Sequence, residues 1–182
     1  MSLLYRYFDS PVGKLTLVAS DLGIVALLWE NDNPARVPLG PLAPGDHPTL
    51  DLAERQLAEY FTGERTAFSV PLDMRGTFFQ KEVWKALLNI PAGETRTYGQ
   101  IANGLGRPNH SRAVGAANAR NPVSIIVPCH RVIGHSGKLT GFAGGLEAKA
   151  RLLNLERASF VADEKVAWSD KKQAVSATYA RR

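Results

Sequence analysis

The sequence is poor in cysteine, with Cys129 alone among 182 residues. A single cysteine forms no internal disulfide and supplies no thiolate cluster for zinc, which argues against a secreted, disulfide-stapled scaffold. No apolar run approaches the roughly 18 residues of a membrane span, and Met1–Arg6 leads into mixed polar sequence rather than an apolar leader. We therefore expect a soluble protein of a reducing compartment, the cytoplasm.

Positive charge is present in excess but unevenly placed. The formal net charge is +5, from 22 Lys and Arg against 17 Asp and Glu. Residues 1–74 hold five basic and ten acidic side chains, whereas residues 75–157 hold twelve basic and four acidic ones. A basic segment beside an acidic one favours a polyanion partner, nucleic acid first. Charge alone leaves a merely solvated basic face equally open.

The first segment has the pattern of a small α/β unit. Lys14–Ala19 and Ile24–Trp29 are apolar, β-branched runs around a Ser-Asp-Leu-Gly turn, which predicts a hairpin. Residues 31–48 hold five prolines and predict a loop. Apolar residues at helical spacing predict a helix over Leu50–Phe61, and the alternation in Phe68–Leu72 predicts a short strand.

The second segment is predicted to be mainly helical. Thr77–Gln80 and Thr97–Gln100 have the form of capping boxes, and Ser111 is expected to cap a third helix that ends at Ala119. The last two of these helices resemble a helix-turn-helix, although any helical hairpin shows this pattern. Val123–Val127 is expected to be a buried strand or extended run, and Leu146–Glu156 a final helix.

The helix that begins near Ser111 carries almost no side-chain bulk. Its small residues are Ala113, Gly115, Ala116, Ala117 and Ala119, and Arg112 stands at its start. A stripped helix surface allows close backbone approach, either by a ligand such as nucleic acid or by a neighbouring helix inside the protein. The pattern alone leaves both readings open.

Cys129 lies in the run Pro-Cys-His-Arg. A cysteine is nucleophilic as the thiolate, and a nearby protonated His or an Arg lowers its pKa. His130 and Arg131 are its immediate neighbours, which makes Cys129 a candidate reactive thiol. An inert core cysteine stays open, because neighbours in an extended segment point apart.

These motifs carry a family resemblance. The octapeptide Ile-Val-Pro-Cys-His-Arg-Val-Ile of residues 126–133, the upstream Arg-Ala-Val-Gly-Ala-Ala-Asn of residues 112–118 and the pair Asn121-Pro122 resemble the O6-alkylguanine-DNA alkyltransferases. The resemblance runs from about Phe78 to Glu156, with a weaker echo in the first segment.

The resemblance implies an α+β fold in two domains. An RNase-H-like α/β domain is expected over residues 1–75, followed over residues 76–157 by a mainly helical, winged-helix-like domain with a helix-turn-helix that binds DNA and carries the chemistry. Residues 158–182 have no counterpart in the resemblance. We expect a flexible tail there, and a short helix or a partner site stays open as an alternative.

The resemblance also implies catalytic roles. Cys129 accepts the alkyl group, and His130 removes the thiol proton through a water molecule. Glu156 orients and stabilises the imidazole, as in other Cys-His-acid relays. Tyr98 offsets charge on the leaving guanine by donating a proton, and Asn121 ties the relay to neighbouring backbone.

DNA binding is implied through the minor groove. Arg112 would fill the gap that the alkylguanine leaves in the base stack when it is flipped out. The bare helix would lie in the minor groove, which is only about 6 Å wide. The expected DNA-contacting residues are Arg112, Ala113, Gly115, Ala116, Tyr98 and Arg131. Sequence-independent phosphate contacts are expected from some of Arg96, Arg107, Arg120 and Lys138.

The implied substrate pocket consists of Val132, Phe142, Ala143 and Gly144. Phe142 stands where relatives often carry tyrosine and Ala143 where some carry serine, so we expect one side-chain contact to the base to be missing. Ser124 replaces a proline of some members, which is expected to change the tolerance for bulky alkyl groups. The first segment lacks the zinc-binding cysteines of some relatives, and we expect no metal and no cofactor.

The expected function is single-turnover reversal of O6-alkylguanine, and less readily of O4-alkylthymine, in double-stranded DNA by a monomer. Cooperative binding of several monomers to DNA stays open. Two alternatives differ in class. One is a non-catalytic damage sensor or transcription regulator that uses the same helix-turn-helix. The other is a thiol hydrolase or oxidoreductase for small molecules.

Overall fold

The computed structural model describes residues 3–159, and of the tail expected over residues 158–182 the part 160–182 lies outside them. The elements in chain order are β1 (Leu3–Ser10), β2 (Gly13–Ser20), β3 (Gly23–Trp29), β4 (Leu42–Pro44), α1 (Pro48–Phe61), α2 (Phe78–Leu88), β5 (Arg96–Thr97), α3 (Tyr98–Gly104), α4 (Ser111–Ala119), a 3-10 turn (Cys129–Arg131), β6 (Val132–Ile133) and α5 (residues 145–159).

Strands β1 to β4 form one mixed sheet in the order β3-β2-β1-β4. The predicted hairpin is confirmed, because β2 and β3 pair antiparallel with Leu15 opposite Trp29. Strand β4 lies inside the proline-rich loop and pairs parallel with β1. Nearly every residue of β3 is buried, since α1 and its neighbours pack on one face of the sheet and Val37 and Leu39 cover the other.

Helix α1 confirms the predicted helix and extends it by two residues. The side chain of His47 accepts a hydrogen bond from the Thr49 N–H at the N-terminus, and Pro48 occupies the first turn. The helix stops before Gly63, whose φ of 81° reverses the chain. Its buried residues are Leu50, Ala53, Gln56, Leu57 and Tyr60.

Helices α2, α3 and α4 form the helical unit of the second segment. Both predicted capping boxes are present, at Thr77–Gln80 and Thr97–Gln100. The expectation that Ser111 caps α4 is wrong, because His110 occupies the N-cap and makes no capping bond through its side chain. The indole N–H of Trp84 donates to the Ala117 carbonyl at 2.8 Å, which docks α4 against α2.

Two predicted strands are wrong. Residues 123–127 form buried turns rather than a strand, with a single bridge between Val123 and Leu27 and a positive φ of 71° at Ile125. Between Phe68 and Leu72 there is likewise one isolated bridge, from Leu72 to Ile24. In both places the chain forms one isolated bridge to β3 and no ladder of hydrogen bonds, although the apolar residues of 123–127 are buried and those of 68–72 are buried or partly buried.

The core is continuous across the two segments. One cluster of buried apolar side chains includes Leu27 and Leu57 from the first segment and Trp84, Val114 and Leu152 from the second. The first segment therefore packs directly on the elements that carry the Cys129 turn. Within residues 3–159, no helix is both long and apolar enough to cross a bilayer.

Candidate active site

Cys129 begins the 3-10 turn and is 4% exposed. Burial is the largest influence on its thiol and raises the pKa, whereas the side chains of Asn121 and Ser124 and the charges of Arg36 and Lys149 act in the lowering direction. The net direction is upward. Cys129 therefore rests as a thiol, and a base must remove its proton before it can act as a nucleophile.

His130 follows Cys129 and is completely buried. Its Nε2 lies 2.7 Å from Oε1 of Glu156, whereas its Nδ1 has no hydrogen-bond partner among the described residues. Burial lowers the pKa of the imidazole more than Glu156 raises it. The resting ring is therefore neutral, with its proton on Nε2 toward the carboxylate and a lone pair on Nδ1 for accepting a proton.

Glu156 is the carboxylate around which the buried polar groups gather. Its Oε1 faces His130 and accepts from Arg131 at 2.8 Å, and its Oε2 accepts from Arg131 Nε at 3.0 Å. The Tyr60 hydroxyl donates to Oε1 at 2.7 Å. Burial alone raises the pKa of Glu156, but His130 and Arg131 outweigh it and hold the pKa at about 2. Glu156 is therefore ionised at neutral pH and places a negative charge beside the imidazole.

Arg131 does not lie where a DNA-contacting residue must be. It is 5% exposed, pairs with both oxygens of Glu156 and donates to the Ile90 carbonyl. The expectation that Arg131 contacts DNA is inconsistent with this position, because its guanidinium faces the interior. Its positive charge instead balances a buried carboxylate, which would otherwise be costly to desolvate.

Asn121 shapes the turns that lead to Cys129. Its Nδ2 donates to the Val127 carbonyl at 2.8 Å, and its Oδ1 accepts from the Val123 N–H at 3.0 Å. Its own carbonyl accepts a hydrogen bond from Arg36, which also pairs with Asp32. The side-chain amide of Asn121 thus connects both ends of the buried turns. Arg36, a residue of the first segment, contacts the backbone carbonyl of the same residue.

Lys149 is a further buried cation beside the site. Its Nζ donates to the carbonyls of Val132 and Thr140, the latter at 2.8 Å. Burial lowers the pKa of this amine. Both bonds end on backbone, so Lys149 ties the loop that contains Thr140 to the strand that follows the Cys129 turn.

The expected pocket residues lie on this loop and on β6. Val132 is buried, Ala143 is exposed, and the ring of Phe142 packs edge-on against Trp29 with centroids 5.3 Å apart. Gly144 lies against the same indole so closely that a Cβ there would be 2.6 Å from it. The first segment, through Trp29, therefore sets the position of the loop.

Helix α4 packs against the protein core on one side and is exposed to solvent on the other. Val114 and Ala117 are buried, whereas Arg112 and Ala116 are exposed and Ala113 and Gly115 are partly so. A cleft of about 450 Å³ lies beside its first turns. The residues that line this cleft are Thr97, Tyr98, Gly99, Ser111, Arg112, Gly115 and His135. The bare side of α4 is therefore open to a ligand.

Tyr98 stands at the start of α3 and faces α4. Its hydroxyl is 3.1 Å from the Thr140 hydroxyl, and its ring lies 3.7 Å from where a Cβ on Gly115 would be. Tyr98 therefore links the bare helix to the pocket loop. Among the expected phosphate-binding residues, Arg120 and Lys138 are exposed, whereas Arg96 and Arg107 each form an ion pair, with Glu94 and Glu82 respectively.

The sequence patterns did not predict three residues of the site, which are Arg36, Tyr60 and Lys149. One signal could have found Lys149, since positions 149, 152 and 156 fall on one helical face and Leu152 is apolar. A Lys and a Glu on the core face of a helix indicate a buried polar cluster. Arg36 and Tyr60 have no such local signal for the site, because the site groups that they contact, the Asn121 carbonyl and Glu156, are 85 and 96 residues away.

Comparison with known proteins places this arrangement in a family. A model of the ribonuclease-like domain of 6-O-methylguanine DNA methyltransferase matches residues 3–74, and a model of the DNA-binding domain of the same enzyme matches residues 78–158. The fold and site thus define a two-domain protein with a ribonuclease-like unit followed by a DNA-binding unit, which confirms the predicted fold class. The chain belongs to the methylated-DNA–protein-cysteine methyltransferase family.

Individual relatives agree over most of the chain. The methylated-DNA–protein-cysteine methyltransferase of Mycobacterium tuberculosis strain H37Rv is 52% identical over 161 residues, which are 87% of this chain and 95% of the relative. That of Methanosarcina acetivorans is 48% identical over 155 residues, which are 85% and 98% of the two chains. The crystal structure of M. tuberculosis OGT in complex with DNA superposes with a TM-score of 0.78 at 51% identity, covering 86% of this chain and 94% of that one.

Proposed function

We propose that the protein reverses O6-alkylguanine damage in double-stranded DNA by transferring the alkyl group irreversibly to Sγ of Cys129, and acts less readily on O4-alkylthymine. The observation that carries the proposal is the buried Cys129 followed in the chain by the buried His130–Glu156 pair, in a chain of the methyltransferase family whose helix α4 has an exposed side nearly free of bulky side chains. The reaction is a single turnover, because the thioether that forms does not release its alkyl group.

In the proposed step, His130 Nδ1 receives the thiol proton of Cys129 through a water molecule. The sulfur electron pair then forms a bond to the alkyl carbon as the bond from that carbon to O6 breaks. The bonding electrons stay on the guanine, and a proton from the Tyr98 hydroxyl offsets the charge that develops there. Glu156 stabilises the imidazolium, since it is already ionised and shares a hydrogen bond with Nε2. The proposed step uses only Cys129, His130, Tyr98, a water molecule and the alkylguanine, and it requires no cofactor.

Helix α4 is proposed to enter the minor groove with its bare side. The small exposed or half-exposed side chains of Ala113, Gly115 and Ala116 permit close approach to the groove walls. Arg112, exposed at the first turn, is proposed to replace the flipped nucleotide in the stack. Phosphate contacts from exposed Arg120 and Lys138 would add affinity that falls as salt rises.

The two segments have different roles in the proposed reaction. Residues 1–75 form the ribonuclease-like unit, which supports the site from behind, and residues 76–157 bind DNA and carry the reacting groups. One chain contains every proposed reacting group, so the protein is proposed to act as a monomer. Because its substrate is DNA, it is proposed to act in the cytoplasm.

Mass spectrometry tests the proposal directly. The protein is incubated with a duplex that carries one O6-methylguanine, digested, and the peptide with Cys129 is expected to gain the mass of one methylene group with a stoichiometry of one. A Cys129→Ser variant is expected to bind the duplex without gaining mass. A damage sensor would bind the lesion with its cysteine unchanged, and that result would overturn the proposal. Repeated turnover on a small thiol-reactive substrate, indifferent to DNA, would point to a hydrolase.

A further inference from the structure

The catalytic domain's carboxylate receives a hydrogen bond from the other domain. Tyr60 lies on α1 of the ribonuclease-like unit and is 2% exposed, and its hydroxyl donates to Glu156 Oε1 at 2.7 Å. Its ring is held by Phe61 and Phe68, each with a centroid 5.3 Å away. The hydroxyl is therefore delivered by a rigid, buried aromatic side chain rather than by a mobile one.

Oxygen Oε1 is the atom that also faces His130. Its neighbours are Nε2 of His130 at 2.7 Å, the Tyr60 hydroxyl at 2.7 Å and Nη2 of Arg131 at 2.8 Å. Oxygen Oε2 takes Arg131 Nε at 3.0 Å and the N–H of Gly93 at a longer 3.4 Å. Three close donors surround Oε1, so the position and the charge that His130 meets depend on all three.

Packing alone does not call for this hydroxyl. A phenylalanine would fill the same space between the aromatic neighbours without bringing a polar atom that must find a partner in the interior. The hydroxyl reaches a carboxylate 96 residues along the chain, at the acid end of the proposed relay. Through it the ribonuclease-like unit contacts Glu156 directly.

We propose that Tyr60 is a positioning residue for alkyl transfer: its hydroxyl holds Glu156 Oε1 in line with His130 Nε2 and takes up part of the negative charge on that oxygen. The inference rests on the proposed function and deepens it, because it gives the ribonuclease-like unit a part in the proton relay. Tyr60 acts through Glu156 and touches neither the thiol nor the base.

The charge effect has a definite sign. Glu156 is faced by His130 and Arg131 from the 3-10 turn, by Tyr60 from α1 and by the N–H of Gly93 from the loop after α2. His130 also experiences the charge of Lys149 from α5. Without the Tyr60 hydroxyl, Oε1 is more negative and stabilises the imidazolium, so the pKa of His130 rises. The ring is then protonated, and unable to accept the thiol proton, up to a higher pH.

The test uses the Tyr60→Phe variant of the full chain. Single-turnover rate constants for alkylation of Cys129 by an O6-methylguanine duplex are measured from about pH 5 to about pH 9, across the titration range of histidine. The acid limb of the profile is expected to move up by about half a pH unit, which corresponds to one ordinary hydrogen bond. Affinity for undamaged duplex is expected to be unchanged and reports that the variant is folded.

The matched control is Tyr7→Phe, which removes the hydroxyl of an exposed tyrosine on β1. Its pH profile is expected to coincide with that of the parent protein. In a Glu156→Gln background, Tyr60→Phe is expected to produce no further displacement of the acid limb, because its effect passes through the carboxylate.

The outcomes separate this inference from the proposed function. A parent protein that transfers no alkyl group refutes the proposed function. A parent that transfers normally, with a Tyr60→Phe variant whose acid limb coincides with it, overturns the role of Tyr60 even if the variant is slower. An equal displacement in the Glu156→Gln background overturns it as well, since Tyr60 would then act by another route.

Discussion

Nε2 of His130 and Oε1 of Glu156 lie 2.7 Å apart, and both side chains are at most 1% exposed. Glu156 lies on α5, and His130 lies in the 3-10 turn that begins with Cys129. Burial keeps the imidazole neutral, whereas ion pairing keeps the carboxylate charged. The pair can therefore accept a proton on Nδ1 and stabilise the resulting cation, as a Cys-His-acid relay requires.

Replacement of Glu156 by Gln tests this relationship. Alkyl transfer to Cys129 is expected to fall by about 100-fold or more, because the imidazolium loses its counter-charge. Stability is expected to fall by about 3 kcal/mol, since Arg131 is left buried without an anion. Rapid-quench transfer rates and urea unfolding measure the two effects. Glu147→Gln removes an exposed carboxylate from the same helix and is expected to change neither.

Stability is expected to fall in acid in two stages. The folded-state pKa of His130 lies below the ordinary 6.5, and that of Glu156 is about 2 against an ordinary 4.5. For both groups the unfolded chain binds more protons than the folded protein at acidic pH. The stabilisation is therefore complete above the pKa that each group has in the unfolded chain, and it is lost as the pH falls toward the folded-state pKa. The loss is expected to begin below about pH 6.5 through His130 and to grow below about pH 4.5 through Glu156, which accounts for about 3 kcal/mol.

Urea unfolding at a series of pH values checks this prediction. The Glu156→Gln variant is the informative comparison, because its unfolding free energy is expected to depend less steeply on pH below about 4.5. A parent protein whose unfolding free energy is constant between about pH 6.5 and about pH 4 contradicts the neutral state assigned to buried His130.

Replacement of Arg112 by Ala separates base flipping from thiol chemistry. Transfer from a duplex is expected to slow by at least about tenfold, because the flipped state loses the side chain that fills the stack. The rate at which a small thiol reagent modifies Cys129, the only cysteine, is expected to stay the same. An equal loss in both assays counts against the role assigned to Arg112. Arg55→Ala removes one exposed positive charge from α1 and serves as the matched control.

Replacement of Gly144 by Ala tests the contact between the pocket loop and Trp29. The new Cβ would lie 2.6 Å from the indole, so the loop or the indole must move. Stability is expected to fall by about 1 to 3 kcal/mol, as for other overpacked sites, and alkyl transfer is expected to slow. Gly141→Ala is the control on the same loop, because a Cβ there meets nothing within 4 Å. Similar unfolding midpoints for the two variants would refute the close contact.

The local elements were largely predictable because their causes are local. The hairpin of β2 and β3, helix α1 and the capping boxes at Thr77 and Thr97 each depend on residues a few positions apart. The errors arose where a local rule met a tertiary constraint. Residues 123–127 are apolar enough for a strand but form buried turns. The N-cap of α4 is His110 rather than the predicted Ser111.

The sequence by itself determined the family motif, the single cysteine as the candidate reactant, and the division into an acidic and a basic segment. Only the tertiary structure decided which charges are buried together. Arg131 carries the same charge as an exposed DNA contact, yet it turns inward to Glu156, and Tyr60 and Arg36 reach the site from a different domain. The physical reason is that a buried charge needs partners in space, and the side chains that contact Glu156 lie 25 to 96 residues away along the chain.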